Sequence, residues 1–117
     1  QMIQQAVVDE ALLKVNAEAD LNNENALVLA DQGWHPGVVG IVASKIKEEF
    51  NRPSVIIALE NGTGKGSARS IPGFDLYAAL TTCKQHLEGY GGHPMAAGLT
   101  VSADKLGDFK KAFIIKF

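Results

Sequence analysis

The stretch Gly64-Lys65-Gly66-Ser67-Ala68-Arg69-Ser70 concentrates residue types that can hold a phosphate. Such a site wants backbone N–H groups, a hydroxyl and a guanidinium that converge without side-chain obstruction. Gly66 permits close backbone approach, Ser67 supplies the hydroxyl, and Arg69 can grip two oxygens at once. Lys65 adds a second positive charge. In a strand, alternation puts Lys65, Ser67 and Arg69 on one face and Gly66 with Ala68 on the other. The same residues also fit a plainer reading, a glycine-weakened edge strand whose Lys65 and Arg69 are merely solvated. The Gly-x-x-x-x-Gly-Lys-Ser/Thr order of a P-loop is absent.

Gly91-Gly92-His93 is the second candidate. Two glycines free the backbone to pass close to a ligand, and the imidazole of His93 can donate to a phosphate or a leaving oxygen. The alternative is a tight turn with a surface histidine. His35 is the third, at the expected start of a helix, where unpaired N–H groups and the helix dipole favour an anion. Its plainer role is a helix cap beside a core Trp34. His86 reads as solvated. Asp31, His35 and His93 could in principle meet around a metal, but no local ligand spacing recommends it, and no residue is assigned as a metal ligand.

The totals restrict the classes these residues can serve. The 117 residues fit one domain, and 46% apolar with 21% charged is ordinary for an α/β protein. A net charge of −2 argues against a general polyanion binder. The acids are unevenly placed, however: all 13 lie outside Asn61–Phe74 and Gly89–Ala103, two stretches that hold most of the 12 glycines with Lys65, Arg69 and His93. Cys83 is the single cysteine, so neither an internal disulfide nor a thiolate zinc site can form, and a reducing, cytoplasmic setting is expected. No apolar run approaches the ~18 residues of a membrane helix, so no membrane partner is expected. The chain opens without methionine inside a helical pattern, which suggests a piece of something longer.

The elements that must position these groups follow from periodicity. Val8, Ala11, Leu12, Val15 and Ala19 mark a helix over Ile3–Ala19. Ala26–Ala30 suits a buried strand. Pro36 can open a second helix, with Val39, Val42, Ala43, Ile46 and Phe50 on its apolar face and Arg52-Pro53 as its stop. Val55–Leu59 is a strand, Asn61-Gly62 a hairpin turn, and Gly64–Ser70 the returning strand. A third helix is expected through Leu76, Ala79, Leu80, Cys83 and Leu87, with Cys83 a small core residue. Gly91–Pro94 reads as a loop, Met95–Val101 as a last strand, and Leu106, Phe109 and Phe113 as a closing helix. The order α-β-α-β-β-α-β-α implies an α/β fold: a small mixed sheet of about four strands with helices packed against it.

Taken together, Gly33–Lys45 (Gly-Trp-His-Pro-Gly-Val-Val-Gly-Ile-Val-Ala-Ser-Lys), Arg52-Pro53, Gly64–Ser70, Gly91-Gly92-His93 and Ala96-Ala97-Gly98 resemble the RecJ family of single-stranded DNA exonucleases. The resemblance runs over essentially the whole chain. It implies a DHH-associated, substrate-binding domain at 21–117, with residues 1–20 the end of a helix connecting it to a preceding DHH domain. In that family the DHH domain carries Mn²⁺ or Mg²⁺ and cleaves single-stranded DNA from its 5′ end. No Asp-His-His occurs here, so no metal-ligand role carries over, and no cofactor is assigned to this chain. Single-stranded DNA and the missing DHH domain are the implied partners, and the fragment alone is expected to be inactive. Arg69 and Ser67 match the phosphate-gripping strand; Gly92 and His93 match the loop facing the metals, with His93 in the catalytic role. Two other readings compete: the same domain of a smaller DHH phosphodiesterase acting on short oligonucleotides or cyclic dinucleotides, and a stand-alone binding module. Aromatic residues are few, so backbone contacts should outweigh base stacking.

Overall fold

The computed structural model describes the backbone of residues 2–116 and the side chains of residues 3–114. Helix α1 (Met2–Glu18) leads to strand β1 (Leu27–Asp31), helix α2 (Val39–Phe50), strands β2 (Ser54–Glu60) and β3 (Thr63–Arg69), and helix α3 (Leu76–Thr82). A 3-10 turn at Lys84–His86 precedes strands β4 (Gly89–Gly92) and β5 (Ala96–Ser102), and helix α4 (Leu106–Lys116) closes the chain. The strands form one mixed sheet in the order β1-β2-β3-β5-β4, parallel between β1 and β2 and antiparallel elsewhere.

Alternation along the strands divides the core in two. Val28, Val55, Ile57, Ala68, Ala97, Leu99 and Val101 face α3 and α4, where Phe109 and Phe113 fill the layer. Leu27, Leu29, Ile56 and Ala58 face α1 and α2 and meet Val7, Ala11, Val15, Val42 and Ile46. Burying each such aliphatic side chain contributes about 1.5–3 kcal/mol. The long apolar runs in β1 and β2 are therefore a consequence of helices on both sides.

Local chemistry fixes the joints. Asn61 (φ 54°) and Gly62 (φ 80°) both take left-handed backbone, the turn that matches strand twist in a two-residue hairpin. Asn51 ends α2 in the left-handed region, its N–H donating to Lys47. Arg52 then donates to the carbonyls of Leu21, Glu24 and Phe50 at 2.6, 3.0 and 2.7 Å, tying the loop before β1 to the end of α2. Asp75 caps α3 by accepting from the N–H of Ala78. Cys83 is fully buried, as its spacing indicates.

Four features differ from the sequence pattern. The sheet has a fifth strand, β4, where Gly91-Gly92 read as loop; Gly-Tyr-Gly-Gly has little strand propensity and is held by its pairing with β5. The second helix begins at Val39, because Pro36–Val38 form a separate turn closed by the N–H of Val38 donating to His35. The third helix stops at Thr82, so Leu87 lies beyond it in extended backbone. Finally, β3 is the middle strand of five, which removes the edge-strand reading of Gly64–Ser70.

Candidate functional site

One row of directly opposed residues crosses the sheet on the α1/α2 side: Leu29, Ile56, Ser67, Gly98, Gly91. Its side chains shrink from leucine to nothing. The neighbouring rows run Asp31-Ala58-Lys65-Thr100-Gly89 and Leu27-Ser54-Arg69-Ala96, with the long cationic side chains on β3 and small residues beyond it. Helix α1 packs on β1 and helix α2 on β2 and β3, while α3 and α4 pack on the sheet from the opposite side. The β5-β4 part is left as an open floor, with β3 at its border. Gly98 and Gly91 are exposed, and a Cβ added at Gly91 or Gly89 would meet nothing within 4 Å.

Lys65, Ser67 and Arg69 line the border of that floor. The Arg69 guanidinium lies against the first turn of α2, with Nη2 only 2.8 Å from where a Cβ on Gly40 would stand; Ser67 Oγ is 3.6 Å from the same point. A Cβ at position 40 would push the guanidinium aside, a shift that the end of a flexible side chain can make. One donor of Arg69, Nη1, is spent on the Ala68 carbonyl at 2.8 Å. Among the described residues no carboxylate pairs with Arg69 or Lys65. The α2 N-cap, Val38, makes no side-chain hydrogen bond, so the first-turn N–H groups beside Arg69 lack a cap and carry the positive end of the helix dipole. The two acid-free stretches of the sequence thus become adjacent strands, and their shared face offers donors without a built-in anion.

The Gly-Gly-His element is the tip of the β4–β5 hairpin. Gly92 has φ 139°, and a Cβ there would stand 2.5 Å from the Ala96 carbonyl and from Ala97 Cα, so the turn requires glycine. The His93 N–H donates to Ala96 O at 2.8 Å, and Ala96 is the residue opposed to Arg69. His93 and Arg69 are thereby brought to one end of the floor, with the His93 side chain exposed. The Ser70 N–H donates to Met95 O and its Oγ to Phe74 O at 2.6 Å, fastening the loop after β3 to the hairpin tip.

Two candidates need correction in their physical basis. Gly66 faces away from Ser67 and Arg69, and a Cβ there would lie 2.8 Å from Ile57 Cγ1; glycine at 66 makes room for the core rather than for a ligand. His35 does not stand at a helix end: it lies four residues before α2, exposed, with Nδ1 accepting the Gly37 N–H at 2.8 Å. Gly40 and Thr100 also border the face and were given no site role from the sequence. For Gly40 a signal existed, since a glycine inside a helical pattern usually has a packing reason. Asp31 is engaged by the Gly33 N–H and by Lys14 Nζ at 3.5 Å. Among the described residues, no three His, Cys, Asp or Glu side chains stand together to hold a metal ion, and no helix is long and apolar enough to cross a membrane.

A five-stranded mixed sheet with a glycine-floored cationic face, ending in a Gly-Gly-His hairpin, agrees with the DHHA1 domain model, which matches residues 23–116: the chain belongs to the DHHA1 domain family. Within that family its relatives are RecJ proteins. The single-stranded-DNA-specific exonuclease RecJ of Bacillus subtilis is 45% identical over 106 residues, covering 89% of this chain and 13% of its own length. The Escherichia coli protein of the same name is 47% identical over 85 residues, covering 68% of this chain and 15% of its own. A crystal structure of RecJ from Thermus thermophilus in complex with Mg²⁺ superposes with a TM-score of 0.80 at 35% identity, over 97% of this chain and 18% of that one. The chain therefore spans only about a seventh of the length of these curated relatives.

Proposed function

We propose that this chain is the substrate-holding domain of a RecJ-like exonuclease acting on single-stranded DNA from its 5′ end, and that the open half of its sheet binds the DNA backbone. One observation carries the reading: a guanidinium without a carboxylate partner among the described residues, beside the glycine floor of β5 and β4. Phosphate oxygens accept from Arg69, Ser67 and Lys65 and from the uncapped first turn of α2. Charge-assisted bonds of this kind are the stronger class. His93, at the hairpin tip, donates to the scissile phosphate or to the leaving oxygen. Among the described residues no three His, Cys, Asp or Glu side chains stand together, so no step is assigned to a metal held by them. The hydrolytic step belongs to a DHH domain that supplies Mn²⁺ or Mg²⁺, with α1 the end of the connection to it, and this chain alone binds without cleaving. A cytoplasmic location accords with the single buried cysteine.

The test is a backbone NMR titration of the chain at low salt, first with Mg²⁺ and then with a 5′-phosphorylated single strand. DNA should shift Lys65–Ser70 and Gly91–Gly98, and Mg²⁺ alone should shift neither. DNA-induced shifts centred on α1 or α4, or no shifts at all, would overturn the assignment of the face. A specific Mg²⁺ response at Asp31, His35 or His93 would overturn the metal-free reading.

A further inference from the structure

Lys65, Ser67 and Arg69 occupy alternate positions of one continuously paired strand, opposed in β5 by Thr100, Gly98 and Ala96. A strand rises 3.2–3.4 Å per residue, so these groups recur about every 6.4–6.8 Å along β3. Each nucleotide of an extended single strand carries its phosphate forward by a comparable distance. Across the sheet the pattern is different. The row from Ser67 passes to Gly98 and Gly91, which offer no side-chain donor, and the row from Lys65 offers only the Thr100 hydroxyl before Gly89. Both positive side chains thus lie along β3, with α2 as a wall on one side, Gly40 standing close to Ser67 and Arg69.

The series also has an end. The next position on the same face is Thr63, directly opposed to Glu60 of β2 and Ser102 of β5. Glu60 is exposed and forms no ion pair among the described residues. A fourth phosphate carried past Lys65 would meet that carboxylate.

Resting on the phosphate-binding reading above, we infer that the nucleic-acid strand runs along β3, one nucleotide for every two residues. Arg69, Ser67 and Lys65 then meet three consecutive phosphates, and Lys65 is the residue that makes the site prefer three phosphates over two. Glu60 limits the series. The domain measures a short length of backbone, without any contact to a base.

The experiment is the affinity of this chain for 5′-phosphorylated oligothymidylates carrying two, three and four phosphates, at fixed low salt, for the wild type, Lys65→Gln and Arg69→Gln. Lys65 is exposed, so its replacement leaves the fold intact. Wild-type affinity should rise several-fold from two phosphates to three and stay level from three to four. Lys65→Gln should lose the gain from the third phosphate and weaken binding more on three phosphates than on two. Its salt slope on the longer strands should fall by about 0.7, the counterion release of one single-strand phosphate. If Lys65→Gln weakens every length equally or none, or if wild-type affinity climbs as steeply from three to four, the three-phosphate series is overturned while an Arg69→Gln loss keeps the face as the binding site. If Arg69→Gln binds every length as the wild type does, the face itself fails and the series with it.

Discussion

Along the row Leu29-Ile56-Ser67-Gly98-Gly91, the first two side chains lie under two helices and the last two residues lie open to solvent. The covered half is aliphatic and carries buried area; the open half has almost no side chains and carries donors. Both are parts of one sheet face, held by one ladder of backbone hydrogen bonds. The contrast teaches that the buried core and the face proposed to bind DNA are separated here by a single strand, with β3 belonging to both. Its Gly64, Gly66 and Ala68 complete the core on one side, while Lys65, Ser67 and Arg69 stand over the floor on the other.

The separation can be broken hardest from the covered half. Ile56 is fully buried, and Ile56→Ala should cost about 2–5 kcal/mol in chemical denaturation. Next comes Gly92→Ala at the hairpin tip, where the new Cβ meets backbone and the φ of 139° disfavours any side chain; about 1–3 kcal/mol should be lost, read as a lower Tm. The open half should respond in the opposite sense. Arg69→Gln should change stability by no more than about 0.5 kcal/mol, as substitutions away from the core usually do, while abolishing the DNA-induced NMR shifts. Gly91→Val tests the floor itself: the side chain has room and suits a strand, so the fold should hold within about 0.5 kcal/mol and DNA binding should drop. The smallest effect is expected at the border. Gly40→Ala gains up to about 1 kcal/mol of helix propensity but pushes the Arg69 guanidinium aside, so near-neutral stability with weakened DNA binding is the expected pair.

What the sequence made legible follows the same division. The covered half announces itself through apolar runs and helical spacing, since burial on both faces leaves few options for β1, β2 and α2. The Asn61-Gly62 turn and the alternation of Lys65, Ser67 and Arg69 were readable because both are local rules. The open half was harder. β4 has no propensity of its own and exists through pairing with β5, and the central place of β3 depends on that non-local contact. The start of α2 was displaced because His35 Nδ1 takes the Gly37 N–H and makes a turn of what Pro36 alone would permit as helix. The reason for Gly66 could not be seen until Ile57 was found in its side-chain space.

The Trp34 indole has a consequence for where this protein's parts begin and end. Its Nε1–H donates to Glu10 at 2.9 Å, Lys14 Nζ sits 6.0 Å from its ring centroid, and Val7, Val8, Ala11 and Val15 of α1 are buried with it. The family match, however, starts at residue 23. A piece cut at that boundary would leave α1 behind and with it one wall of the core around Trp34. Hydrogen exchange should find α1 protected in step with β1 and α2 rather than fraying ahead of them, because a helix that supplies one wall of a core cannot leave without opening it.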